Sequence, residues 1–146
     1  LLINSERFVE VDEDLIPTGH IAPVEGSPFD FRKPKPIGKD IVAAGGFDHC
    51  FTLSEENALS IPAARVTDPT SGRVMTVFTI SPGIQFYSGN FLQDTATRCG
   101  KVGAHAALCL ETEEYPDAIN PPEFPDIVLK PKERYLSKTV YQFSTK

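Results

Sequence analysis

Glu111 and Glu113 flank a single threonine at the end of the apolar run Leu108–Leu110. On an extended strand two carboxylates at that spacing share a face. Two charges so close disfavour each other's ionisation. Glu111 follows Cys109 and Leu110, so partial burial is expected to raise its pKa toward a value useful to a general base. The plainer reading is a surface glutamate at a strand end. His105 lies six residues before Glu111. If the segment Ala104–Glu111 is one extended strand, the two side chains are roughly 20 Å apart. That is too far to act on one small molecule. Asp48 follows Gly45-Gly46-Phe47 and is either a turn aspartate or an acceptor for hydroxyl groups. His49, its neighbour, points to the opposite face of a strand and is expected to brace the site or sit in the core. Gln85 is either a polar residue on an outer strand face or an amide that donates and accepts at once. His20 is read as a solvated loop residue.

The three cysteines, Cys50, Cys99 and Cys109, form no CxxC pair and are odd in number. Neither a disulfide framework nor a zinc site is expected. Reduced thiols fit a cytoplasmic protein. The chain carries a net charge of -6 and a pI of about 5.0, which argues against nucleic acid as a partner. No apolar run is long enough to span a bilayer. The first residues, LLINSERFVEVDEDL, lack the pattern of a signal peptide. They also lack an initiator methionine, so residues are expected to precede them.

Thirteen prolines and ten glycines leave little room for long helices. The stretches between them are rich in Val, Ile, Thr, Phe and Tyr, which predicts many short strands and an all-β sandwich or barrel. Strands are predicted over Phe8–Val11, Arg73–Ile80, Ile84–Tyr87, Ala104–Glu111 and Thr139–Phe143. The proline-rich segment Ser27–Gly38 is expected to pack down through Phe29 and Phe31, and Tyr115–Pro125 likewise. Phe86, Tyr87 and Phe91 are read as core before platform. Asp117 and Asn120 are read as turn residues, and Arg65 and Arg73 as surface. No internal boundary divides residues 1–146.

Four segments, in order, resemble the aldose 1-epimerase (galactose mutarotase) family: LIPTGHIAPVEGSPFDFR, GGFDHCF, SGRVMTVFTISPGIQFYSGNF and CLETEEYPDAINPPEFPDIVLKPKERY. The resemblance implies an antiparallel β-sandwich of the galactose-mutarotase type, the supersandwich. It implies that the chain is the carboxyl-terminal part of one domain about twice as long. It also implies a reaction, the interconversion of the α and β anomers of free hexoses such as galactose and glucose. Ring opening needs a base at the C1 hydroxyl and an acid at the ring oxygen, and no metal or cofactor.

By the same resemblance Glu111 is the base, and Asp48 and Gln85 bind the sugar. The histidine acting as general acid belongs to the earlier part of the family's domain. Two positions depart from the family pattern. Cys50 stands where an amide residue is usual, and Glu113 where glutamine is usual. Such departures fit either a tuned base or relaxed constraint, so a non-catalytic carbohydrate-binding or structural subunit is the alternative. In each case an uncovered sheet predicts a complementary chain or self-association.

Overall fold

The computed structural model describes residues 1–54 and 59–146. Among them eleven strands form: β1 (Leu2–Ile3), β2 (Arg7–Val11), β3 (Pro17–Pro23), β4 (Asp48–Thr52), β5 (Ala64–Thr67), β6 (Arg73–Thr79), β7 (Gly83–Tyr87), β8 (Thr95–Thr97), β9 (Gly100–Val102), β10 (Cys109–Glu113) and β11 (Thr139–Thr145). One 3₁₀ turn covers Ile37–Lys39. Four strands make one sheet in the order β1-β5-β6-β11, and five make another in the order β10-β7-β4-β2-β3. Every pairing is antiparallel, and β8 and β9 form a separate hairpin.

The two larger sheets form a sandwich, and their inner faces supply one core. Ile3, Ala64 and Val77 come from the first sheet, and Phe8, Phe51, Ile84, Phe86 and Leu110 from the second. Phe31, on the connection after β3, and Phe47, just before β4, fill the space between. Their rings pack edge-on at 5.1 Å, and Phe47 stacks on Phe86 at 5.2 Å. The proline-rich 27–38 segment is fixed by packing of Phe29 and Phe31 and by backbone bonds to the start of the chain, Ile3 N–H donating to the Phe31 carbonyl at 3.0 Å and Lys35 N–H to the Leu1 carbonyl at 3.1 Å. The strand β6 forms because its β-branched and aromatic residues suit a pleated surface paired on both sides.

A second cluster lies on the other face of the five-stranded sheet. Val9 and Cys50 are covered there by Ala118 and Phe124, with Tyr115 packed against them. The segment after β10 therefore folds back over part of this outer face. On the four-stranded sheet, β11 leaves Val140, Tyr141 and Phe143 exposed. Among the described residues no helix is long and apolar enough to cross a membrane.

The predicted strand over Ala104–Glu111 is corrected. Residues 103–106 form a turn, and the strand runs from Cys109 to Glu113. His105 adopts a left-handed φ of 63°, which ends any extended run. The backbone there is held by another segment, since His105 N–H donates to the Gly89 carbonyl at 2.9 Å. Of the other predicted strands, Phe8–Val11, Arg73–Ile80 and Ile84–Tyr87 match within a residue, and Thr139–Phe143 extends to Thr145.

Candidate active site

The register of three adjacent strands brings the chemistry-bearing residues together. Glu111 on β10 lies opposite Gln85 on β7, and Gln85 lies opposite Cys50 on β4. One pleat along, Cys109, Tyr87 and Asp48 are aligned. In the other direction, Glu113, Gly83 and Thr52 are aligned. Strand alternation puts Asp48, Gln85, Glu111 and Glu113 on the outer face and His49, Phe86 and Leu110 on the core face. Gln85 Nε2 donates to Asp48 Oδ1 at 2.8 Å, while Gln85 Oε1 is buried without a partner. A cleft of about 140 Å³ opens beside this pair, lined by Asp48, Cys50 and Gln85 together with Leu15, Pro17 and Pro116. A larger concavity of about 720 Å³ lies elsewhere, around Arg32 and Lys35. Its charges are largely paired with one another, Arg32 with Glu6 and Asp30 and Lys35 with Asp40.

Asp48 owes its position to residues that no chemical motif marks. Gly46 has a φ of 88°, and a Cβ there would collide with the Asn90 side chain. Asn90 Nδ2 donates to the Phe47 carbonyl at 3.1 Å, and Phe47 N–H donates to Ser88 Oγ at 2.9 Å. Ser88 Oγ in turn donates to Asn90 Oδ1 at 2.6 Å. These bonds clamp the start of β4 to the end of β7, so Asp48 emerges one pleat from Gln85. The signal in the sequence was the run Tyr87-Ser88-Gly89-Asn90, which contains small polar residues and no charge.

The two glutamates divide differently from expectation. Glu111 is exposed, not partly buried. It sits on β10, the edge strand of the five-stranded sheet, and is exposed there among the described residues. The burial falls on Glu113. Its Oε1 is buried without a partner, and the Tyr115–Phe124 segment folds over its end of the strand. Burial first, and then the nearby Glu111, push the Glu113 carboxyl up to about 7. Cys50 Sγ lies close to the Glu113 end of β10, and its thiol is raised well above the ordinary range, chiefly by burial and then by the Glu113 carboxylate. Gly83 makes the contact possible. A Cβ at that position would stand 2.7 Å from Cys50 Sγ and 3.2 Å from the Glu113 carbonyl oxygen.

A family profile described as Aldose 1-epimerase matches residues 1–142. The chain belongs to the aldose 1-epimerase family. It is 48% identical over 148 residues to the galactose mutarotase of Sus scrofa, covering 97% of this chain and 42% of that protein. The Homo sapiens galactose mutarotase is 46% identical with the same coverage. The Escherichia coli aldose 1-epimerase is 38% identical over 152 residues, covering 98% of this chain and 44% of that protein. A crystal structure of a GalM/aldose epimerase homologue from C. elegans superposes with a TM-score of 0.90 at 29% identity, over 99% of this chain and 45% of that one. The chain thus spans less than half the length of these epimerase relatives.

The histidines of this chain lie apart from Glu111. His49 is buried behind Asp48, with its ring 4.4 Å from Phe29 and 5.7 Å from Phe8. Burial lowers its pKa, Asp48 opposing this in part. His105 lies in the turn before β10, with Nδ1 2.9 Å from the Ser88 carbonyl. Ser88 is three residues along from Gln85, roughly 10 Å at strand spacing, so no hydrogen bond joins His105 to the Glu111 row. His20 is exposed, though on β3 rather than in a loop. Among the aromatics Phe86 is core, whereas Tyr87 stacks on the exposed Phe91 at 6.2 Å. Asn120 bonds Asp117 within its turn, and Arg65 and Arg73 are exposed.

Proposed function

We propose that this chain is the carboxyl-terminal part of an aldose 1-epimerase that interconverts the α and β anomers of free galactose and glucose. The observation that carries the reading is the row formed by Glu111, Gln85 and the Gln85–Asp48 hydrogen bond on one sheet face, in a chain of this family. Glu111 is the general base that takes the C1 hydroxyl proton. Its exposure at the sheet edge fits a group that must reach a substrate. Asp48 accepts hydrogen bonds from sugar hydroxyls, and Gln85, bonded to it through Nε2, lines the same cleft and binds the sugar with it.

The acid that protonates the ring oxygen is a histidine from the stretch of the family's domain that this chain does not span. The isolation of His20, His49 and His105 from Glu111 supports that assignment. The exposed apolar side chains Val140, Tyr141 and Phe143 fit a surface covered by that stretch, whether as a complementary chain or in a longer one. Ring opening and closure need only proton transfers.

The test is a titration of the ¹⁵N-labelled chain with D-galactose, followed by NMR. The Gln85 side-chain amide is expected to shift with increasing sugar. An unmoved Gln85 resonance at saturating sugar, in a chain shown by its spectrum to be folded, would remove the assignment of this face.

A further inference from the structure

The hairpin joining β2 to β3 borders the cleft beside Asp48 and Gln85, and its tip departs from the ordinary pattern. Val11 pairs with Pro17 at its base. Asp12 N–H then donates to the Ile16 carbonyl at 2.9 Å, and Leu15 N–H donates to the Asp12 carbonyl at 3.1 Å. The loop is therefore the three residues Glu13, Asp14 and Leu15. Its last residue, Leu15, is left-handed, with a φ of 64°. Glycine ordinarily takes that position in such a loop, because a side chain there crowds the backbone. The Asp12 carboxylate secures the turn around the leucine. Its Oδ1 accepts from Asp14 N–H at 2.9 Å and from Ile16 N–H at 3.0 Å.

Burial in the core does not offset the strain, since Leu15 is 40% exposed. Its surroundings are those of the cleft, which is two-sided. Asp48 and Gln85 supply polar groups, and Val11, Leu15, Pro17 and Pro116 supply an apolar wall. A monosaccharide ring is divided in the same way, with hydroxyls around its edge and a patch of C–H bonds on its face. When the hydroxyls bond to Asp48, the C–H patch is left to lose its water against the wall. Strained backbone that the surrounding structure holds in place gathers at ligand sites.

We propose that Leu15 is a sugar-binding residue: it packs against the C–H face of the monosaccharide whose hydroxyls Asp48 and Gln85 hold, and its left-handed backbone is kept for that contact and not for the fold. This rests on the reading of the Asp48–Gln85 face as the sugar site. It requires that sugar affinity and fold stability part company when Leu15 is replaced.

The experiment compares the wild type with Leu15→Gly and Leu15→Asn. Both replacements accept a left-handed φ, and neither carries the apolar side chain. D-Galactose is titrated into each ¹⁵N-labelled chain with the Gln85 side-chain amide as the readout, and urea midpoints are measured in parallel. Both variants are expected to keep or raise the wild-type midpoint. Both are expected to bind galactose at least about threefold more weakly, the effect of losing part of one leucine's apolar contact. Three results would overturn the proposal. Unchanged affinity in both variants would show that the side chain does not touch the sugar. Weakening in one variant alone would trace the effect to the backbone or to the new side chain. A lowered midpoint in both would assign the leucine to packing. A wild-type Gln85 amide that never moves would be a different failure, removing the sugar site and this contact together.

Discussion

Gln85 Nε2 donates to Asp48 Oδ1 at 2.8 Å across neighbouring strands, and the bond fixes how both side chains present themselves to solvent. Its acceptor is a carboxylate oxygen, the kind of partner that makes a hydrogen bond charge-assisted. It spends one amide proton of Gln85 and leaves the second Asp48 oxygen available.

Asp48→Ala is therefore expected to remove both a hydroxyl acceptor and the restraint on Gln85. The Michaelis constant for galactose in the assembled enzyme should rise by at least about tenfold, with kcat changed less, the pattern of lost ground-state binding. Initial rates over a range of galactose concentrations check this. An unchanged constant would return Asp48 to the role of a turn residue.

Stability should depend on pH through two buried groups of opposite sign. Glu113 ionises near its ordinary value of 4.5 in the unfolded chain and near 7 in the folded one. The folded state then binds more protons between these values, so the stability Glu113 contributes is complete below 4.5 and is lost as pH rises to about 7. His49 is depressed from its ordinary 6.5. Its contribution is present above 6.5 and is lost as pH falls below that value. Urea midpoints between pH 4 and 8 should thus respond in opposite directions. Glu113→Gln flattens the loss toward neutral pH. His49→Phe, which preserves the packing on Phe8 and Phe29, flattens the loss toward acid. Parallel curves for wild type and variants would contradict the burial assigned to each group.

Gly83→Ala is expected to destabilise the chain by about 1–3 kcal/mol, the usual cost of forcing an extra methyl into a filled space. The new Cβ meets Cys50 Sγ. Adding Cys50→Ala should recover part of that loss, because it removes the atom met first. A double-mutant cycle on urea midpoints measures the coupling. Strict additivity would mean that Cys50 does not sit over Gly83.

Much of this arrangement is legible in the sequence, and what escapes has identifiable causes. Strand β6 is plain because Val74, Thr76 and Val77 are β-branched and nothing breaks the run. Strand β3 is hidden by Pro17, Gly19 and Pro23, residues that argue against a central strand. It lies at the sheet edge, where missing backbone donors are tolerated. The alternation of Ala106, Leu108 and Leu110 imitates a strand. The turn at His105 depends on a bond from its N–H to the distant Gly89 carbonyl, which local pattern does not show. The spacing of Glu111 and Glu113 correctly puts them on one face. Which of them is buried depends on Tyr115 and Phe124 folding back, a tertiary fact that local pattern cannot carry. Ser88 and Asn90 escape because their work is done on the backbone of Phe47, far away in sequence.

The central claim is that Glu111 is the base of an epimerase whose acid lies outside this chain. Polarimetry of freshly dissolved α-D-galactose tests it most directly, with the chain alone and with the remaining part of the family's domain supplied. The account predicts no acceleration over buffer from the chain alone. It predicts clear acceleration from the assembled protein, and loss of that acceleration by at least about 10²-fold in Glu111→Gln, the usual contribution of one proton-transfer group. An assembled Glu111→Gln protein working at the wild-type rate would contradict the assignment of the base, and acceleration by the chain alone would contradict the placing of the acid.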